Sequence, residues 1–201
     1  MNRADNYSLL LLAGGKSSRM GTDKAELLYE GQTFVENLIE KAKGLGIQNI
    51  YLSGHQKNRS DVEVVWDIYP EVGPLGGLHA GLKAVTTPYC LVLPVDIPQI
   101  PSDFLESMIK EHELQCLHFK EKNLPLLLEC DGFLEPLIGI YPEKMVDFIE
   151  GKIKEQRLSV FRMLKEWGNR RFTTDISGWQ IANINTQEDY KNLIEMKKRD
   201  S

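Results

Sequence analysis

The basic side chains Lys16, Arg19 and Lys24 share one glycine-bearing stretch, LLAGGKSSRMGTDKA, from Leu11 to Ala25. A stretch of this kind can hold phosphates. Glycines let the backbone approach a ligand and adopt dihedral angles closed to other residues. Successive N–H groups in such a turn can point at an anion, and lysine and arginine add full charges. The plain alternative is a basic surface loop. Its length argues against that, because irregular segments beyond roughly 12 residues are uncommon in compact domains unless functional or disordered. Disorder fits poorly with the apolar residues on both sides. A second candidate is Asp96, which ends the apolar run YCLVLPV, Tyr89 to Val95. A lone carboxylate there can cap the next turn. Opposite a basic loop it can instead hold Mg²⁺, which is often bound by one or two carboxylates plus substrate phosphates. Lys24 and Arg19 would then offset charge gathering in a transition state.

The common phosphate templates do not account for the loop. Gly15-Lys16-Ser17 resembles the end of a Walker A motif, but the Gly required five positions before Gly15 is replaced by Leu10. No GxGxxG fingerprint occurs between Leu12 and Thr33. The histidines, His55, His79, His112 and His118, are scattered without ligand spacing. His79 lies in a second Gly-rich segment and is expected in the core or on the surface. Cys90, Cys116 and Cys130 form no CxxC pair, so they are expected as reduced, mostly buried thiols.

Secondary elements must bring these residues together. Tyr7 to Leu12 reads as a buried strand. Thr33 to Leu45 has helical spacing, with Gly44 and Gly46 marking its end. Asn49 to Ser53 and Val62 to Trp66 read as strands. Gly73 to Gly81 reads as a Gly-rich turn opening a short helix with Leu78, Leu82 and Val85 on one side. Tyr89 to Val95 suits a central parallel strand covered on both faces, and Ser102 is placed to cap a helix reaching about Glu113. Further on, Gln115 to Lys120, Leu124 to Cys130 and Glu135 to Tyr141 are expected strands. Pro142 to Glu150 is an expected helix. Leu158, Phe161, Leu164 and Trp167 mark another helix with those residues in the core. Phe172 to Ile176 reads as an edge strand, and Gln187 to Lys198 as a terminal helix capped by Thr186. The alternation of strands and helices argues for a mostly parallel α/β sheet. Right-handed crossovers then bring the loops carrying Lys24, Asp67 and Asp96 to the carboxyl edge of the sheet, where such folds bind ligands.

Composition narrows the class. The chain has 201 residues, 42% of them hydrophobic, so it can build one α/β core. The expected organisation is one domain, 1–201, in which 1–113 alternates strands and helices and 114–201 is less regular. A formal net charge of −5 argues against a nucleic-acid partner. No apolar stretch has signal-peptide or membrane-span length, so a membrane partner is not expected and the cytoplasm is the default location.

Taken together, the motifs resemble the molybdenum cofactor guanylyltransferase family. They are Leu12-Ala13-Gly14-Gly15, then Arg19-Met20-Gly21-Thr22-Asp23-Lys24, then Asp67, Gly73-Pro74-Leu75-Gly76-Gly77, Asp96 and Asn183-Ile184-Asn185-Thr186. They occur in the family's order and span nearly the whole chain. The resemblance implies a three-layer α/β/α, Rossmann-like nucleotidyltransferase fold. It implies transfer of GMP from GTP to the phosphate of molybdenum-molybdopterin, with Mg²⁺ as cofactor and pyrophosphate leaving. GTP and molybdopterin are then the ligands. Other molybdenum cofactor biosynthesis proteins and the receiving molybdoenzyme are further implied partners. By the same resemblance, Leu12, Ala13 and Gly14 meet the guanine or ribose end, and Gly15 through Gly21 wrap the phosphates. Lys24 and Arg19 act on phosphate, Asp67 helps read guanine, and Gly77 lines the nucleotide site. Asp96 holds Mg²⁺ and acts in catalysis, and Asn183 and Asn185 face the pterin. The family often has Asn after the second strand, whereas this chain has Ser53, with His55 as a partial substitute. Two other readings stay open: a related cytidylyl- or sugar-phosphate nucleotidyltransferase, and a non-catalytic nucleotide-binding module. No residue between His118 and Lys154 is assigned a role.

Overall fold

Leu9 and Leu11 pack on one side of the first strand, Leu10 and Leu12 on the other, and all are buried. A strand apolar on both faces must be covered on both faces, and the computed structural model shows that it is. The structure describes residues 2–14, 24–54, 62–118 and 123–200. Gly15, Lys16, Arg19, Gly21 and His55 therefore lie outside the described residues.

The strands in chain order are β1 (Tyr7–Leu12), β2 (Leu28–Tyr29), β3 (Gln32–Thr33), β4 (Asn49–Ser53), β5 (Glu63–Val65), β6 (Tyr89–Pro94), β7 (Leu126–Cys130), β8 (Phe133–Pro142) and β9 (Arg170–Thr173). The helices are α1 (Arg3–Asn6), α2 (Phe34–Gly44), α3 (Pro74–Ala84), α4 (Ser102–His118), α5 (Val146–Lys154), α6 (Val160–Trp167) and α7 (Gln187–Asp200). Among the described residues a seven-stranded sheet runs β5-β4-β1-β6-β8-β7-β9. Strands β5, β4, β1 and β6 are mutually parallel. Strand β8 is antiparallel to both of its neighbours, and β9 continues parallel to β7 at the far edge. The fold is thus the mostly parallel, Rossmann-like α/β/α arrangement expected from the sequence.

The layers follow from alternation. Leu9 and Leu11 face Val35, Leu38 and Ile39 of α2 and Leu105, Met108 and Ile109 of α4. Leu10 and Leu12 face Leu75, Leu78 and Leu82 of α3, Ile149 and Ile153 of α5, and Met163 and Leu164 of α6. Helix α2 starts where Thr33 and Glu36 close a reciprocal capping box. At the other end, α7 is capped by Thr186, whose hydroxyl accepts from the Asp189 N–H at 3.1 Å.

Several expectations are corrected. The strand expected over Gln115 to Lys120 is helix as far as His118, through which α4 continues; Phe119 and Lys120 lie outside the described residues. The buried stripe of α4 runs on from Met108 and Ile109 to His112 and Cys116, so helical spacing persists through residues less apolar than leucine. The segment 73–81 is not a turn. Only Gly73, at φ +66°, has the left-handed backbone, and the glycines that follow it belong to α3. Phe161 is 55% exposed rather than core, because Val160, Met163 and Leu164 make the buried face of α6. His79 is fully buried in α3 beside Tyr69, with ring centroids 5.3 Å apart. Cys90, Cys116 and Cys130 are free and buried.

Candidate active site

The carboxyl ends of β4, β1 and β6 open into a cavity of about 1050 Å³. Its walls include Leu12, Ala13, Gly14, Lys24, Ser53, Asp67, Gly77, Asp96, Asn183 and Asn185. Every described residue singled out from the sequence as a site residue therefore lines one space. A smaller cavity of about 640 Å³ between α2 and α4, lined by Glu30, Glu40, Lys41 and Glu106, contains none of them.

The floor is the end of β1. The Ala13 N–H donates to the Ser53 carbonyl at 2.8 Å, and the Val95 N–H donates to the Leu12 carbonyl at 3.1 Å. The sheet pairing thus extends one residue into the loops on either side. Gly54, at φ +77°, passes so close to Gly14 that a Cβ there would lie 2.6 Å from the Gly14 Cα and N. Only glycine permits that approach.

On the β5 side, the Ser53 hydroxyl donates to Asp67 Oδ1 at 3.1 Å. Ser53 is 2% exposed, so its hydroxyl, engaged with Asp67, offers little surface to the cavity it lines. Helix α3 closes over this pair. A Cβ on Gly77 would meet Ser53 Oγ at 2.7 Å and Leu12 Cδ2 at 3.1 Å.

On the other side lies Lys24. Its Nζ donates to Asp96 Oδ2 at 2.9 Å and to Asn185 Oδ1 at 2.5 Å. Two backbone features hold this junction. The Ile184 N–H donates to the Asp96 carbonyl at 2.9 Å, hanging the 183–185 segment on the residue whose carboxylate meets Lys24. The N–H groups of Asn185 and Thr186 donate to Asp189 Oδ2 at 2.9 and 2.8 Å. These donors, the Asn185 N–H foremost, hold the Asp189 carboxyl below the usual carboxylate range. Lys24 is placed from the opposite direction. It opens a turn leading into the β2/β3 hairpin. Tyr29 and Phe34, at that hairpin, pack on Ile184 and Leu193. The Tyr190 hydroxyl donates to the Leu28 carbonyl at 2.7 Å. Helix α7 thus fastens the segment bearing Lys24 to the segment bearing Asn185. Farther along, Gln99 Nε2 donates to the carbonyls of Trp179 and Ala182 at 3.0 and 2.7 Å, which fixes the approach to Asn183.

A Mg²⁺ ion fits this donor set only in part. Asp96 offers a hard carboxylate oxygen on the cavity wall, but no group of three acidic, His or Cys ligands occurs among the described residues. An ion here would need oxygens from a bound nucleotide, which is how Mg²⁺ is commonly held.

One further wall comes from a strand to which the sequence assigns no site residue. Glu135, Pro136, Leu137 and Ile138 of β8 also line the cavity. Leu127 pairs with Gly139 while Leu128 pairs with Glu135, so Pro136, Leu137 and Ile138 bulge out of register with β7. The Tyr141 hydroxyl donates to the Pro136 carbonyl and ties down the bulge. A proline inside a strand reading is the signal available in sequence, because proline within sheets sits at edges and bulges.

Comparison with known proteins places this geometry. The sequence model of the MobA-like NTP transferase domain matches residues 9–169. The chain belongs to that family. A probable molybdenum cofactor guanylyltransferase of Clostridium perfringens is 30% identical over 205 aligned positions, covering 95% of this chain and 98% of that protein. The molybdenum cofactor guanylyltransferase of Xanthomonas euvesicatoria pv. vesicatoria is 28% identical over 186 residues, covering 92% and 93%. Among solved structures, the molybdopterin-guanine dinucleotide biosynthesis protein A of Archaeoglobus fulgidus superposes with a TM-score of 0.76 over 96% of this chain and 99% of that one. At 24% identity that likeness speaks for the fold. Family and relatives together support a nucleotidyltransferase role for this MobA-like chain. Among the described residues, no helix is long and apolar enough to cross a membrane.

Proposed function

We propose that this MobA-like transferase moves GMP from GTP to the phosphate of molybdenum-molybdopterin. An acceptor phosphate oxygen forms a bond to the α-phosphorus of GTP. The bond from that phosphorus to the bridging oxygen breaks, and pyrophosphate leaves with the electron pair. The acceptor is already an oxyanion, so the reaction needs no dedicated base. What it needs is alignment of two polyanions and neutralisation of developing charge.

One observation carries the reading. Lys24 Nζ touches both Asp96 and Asn185. On this reading a single cation joins the nucleotide side, assigned to Asp67 and Asp96, to the acceptor side, assigned to Asn183 and Asn185. Asp67, steadied by Ser53, has the chemistry to accept from the N1–H and 2-amino group of guanine. Asp96 is the residue that would hold Mg²⁺ against the nucleotide phosphates. When bound, that ion would withdraw charge from the reacting phosphoryl group. Lys24 places a further positive charge at the junction, and Asn185 fixes its direction. Arg19 and the segment from Gly15 to Gly21, outside the described residues, are assigned to the phosphates by the family pattern alone.

The test is dinucleotide synthesis by the purified full chain with molybdenum-molybdopterin, Mg²⁺, and GTP or CTP. A guanine dinucleotide and pyrophosphate, formed only with Mg²⁺, are expected. Faster product formation from CTP would move the chain to cytidylyl transfer. Calorimetric GTP binding indifferent to Mg²⁺, with no product, would favour a binding module.

A further inference from the structure

Glu135 has no place in the reading above, and its setting is unusual. It lines the same cavity as Asp96 and Asn185. Its backbone pairs with Leu128, but its carboxylate has no hydrogen-bond or ion-pair partner among the described residues. Burial pushes its carboxyl above the ordinary range. A cavity meant for a triphosphate and an acceptor phosphate is a poor place for an unpaired carboxylate, which repels both. The bulge at Pro136 to Ile138 nevertheless turns this stretch of β8 into the cavity, and bulges beside active sites commonly re-aim a side chain. A carboxylate so placed needs a ligand that offers hydrogen-bond donors.

Topology says where that ligand sits. Along the carboxyl edge the order is β5, β4, β1, β6, β8. Asp67 follows β5, Asp96 follows β6, and Glu135 stands on β8. Strand neighbours are about 4.8 Å apart, so β5 and β8 lie roughly 19 Å apart. Asp67 and Glu135 mark the two ends of one cavity, with Lys24 and Asp96 between them. The product proposed above is likewise two heterocycles with phosphates between. The pterin ring carries the same 2-amino-4-oxopyrimidine edge as guanine, an adjacent ring N–H and amino group. A carboxylate can accept both in two parallel hydrogen bonds.

We propose that Glu135 reads the amino-pyrimidinone edge of the acceptor's pterin, as Asp67 reads that of guanine. This rests on the guanylyl-transfer reading and adds a specificity residue at its acceptor end.

The experiment is steady-state kinetics of the full chain with GTP, Mg²⁺ and molybdopterin, comparing wild type with Glu135→Ala and the near-isosteric Glu135→Gln. Glu135→Ala is expected to raise the acceptor KM about tenfold or more, a charge-assisted pair being worth at least that factor. Glu135→Gln, which sets an N–H₂ against a ligand donor, is expected to raise it several-fold. The KM for GTP and the kcat at saturating acceptor should stay within about twofold, which a general loss of packing would not allow. An acceptor KM unchanged in both variants, or a GTP KM rising in step with it, overturns the assignment. Should the alanine variant fail to fold, the glutamine variant decides alone by the same criteria. A wild-type chain that makes no guanine dinucleotide overturns the function reading instead, a result distinct from an active chain indifferent to residue 135.

Discussion

Lys24 and Asn185 meet in space, Nζ to Oδ1 at 2.5 Å, although 161 positions separate them in the chain. The contact joins the segment after the Gly-rich loop to the segment before the last helix. It exists because Tyr29 and Phe34 pack on Ile184 and Leu193, and because the Ile184 N–H is bonded to Asp96. The residues proposed for nucleotide and for acceptor are therefore held to one another by the fold itself.

Asp96→Ala should cut guanylyl transfer by about a hundredfold or more, the scale of losing one preorganised charge-stabilising group. The fold should survive, because Asp96 contributes its carbonyl, not its side chain, to the backbone bond from Ile184. Turnover assays with a circular dichroism melt check both halves. Near-wild-type turnover would remove Asp96 from the metal assignment.

Lys24 and Asn185 should separate by kinetic parameter. Lys24→Ala removes the charge at the junction and should lower kcat by about a hundredfold. It should also cost more than Lys16→Ala. Asn185→Ala should mainly raise the acceptor KM, several-fold, with the GTP KM little changed. Equal losses from Lys24→Ala and Lys16→Ala would discard the ranking of the basic residues.

Ser53→Ala and Gly77→Ala should share a phenotype. The first removes the hydroxyl that donates to Asp67; the second drives a Cβ to 2.7 Å from that hydroxyl oxygen. Each should raise the GTP KM about fivefold, the worth of one hydrogen bond, while leaving the acceptor KM near wild type. Initial rates across a GTP series measure this.

Stability should fall with acid through His112. This side chain is buried, and its Nδ1 is hydrogen-bonded to the Tyr7 hydroxyl at 2.8 Å. Burial foremost, then the charge of Arg170, lowers its pKa from 6.5 to about 4. Between those values the unfolded chain binds a proton that the folded chain refuses. Folding free energy is therefore lost as pH falls through that window, by roughly 3 kcal/mol at most, and is indifferent to this group above pH 6.5. Urea unfolding at pH 7 and pH 4.5 should show the fall. His112→Gln, less stable throughout, should show a smaller one.

The architecture was largely legible because burial leaves a period in the sequence. Tyr7 to Leu12 and Tyr89 to Val95 read as buried strands, short apolar runs bounded by turn signals, and Thr33 to Leu45 as a one-sided helix. The errors came where the period runs through unusual residues. His112 and Cys116 carry the buried stripe of α4 beyond Met108 and Ile109, and Gly77 of α3 suggests a turn until its close packing against Ser53 and Leu12 requires a glycine.

From the sequence alone came the residue types at the strand ends: Asp67 and Asp96 after apolar runs, Lys24 after a glycine loop, and the Asn183–Asn185 pair. Strand order turned those types into a site, since parallel crossovers bring distant strand ends to one edge. Three things were decided only in three dimensions. Ser53 serves Asp67, Lys24 bridges Asp96 to Asn185, and a bulge in β8 presents Glu135 to the cavity. Each depends on which chain segments pack side by side, and side-chain partners drawn from opposite ends of a chain leave no periodic mark in either segment.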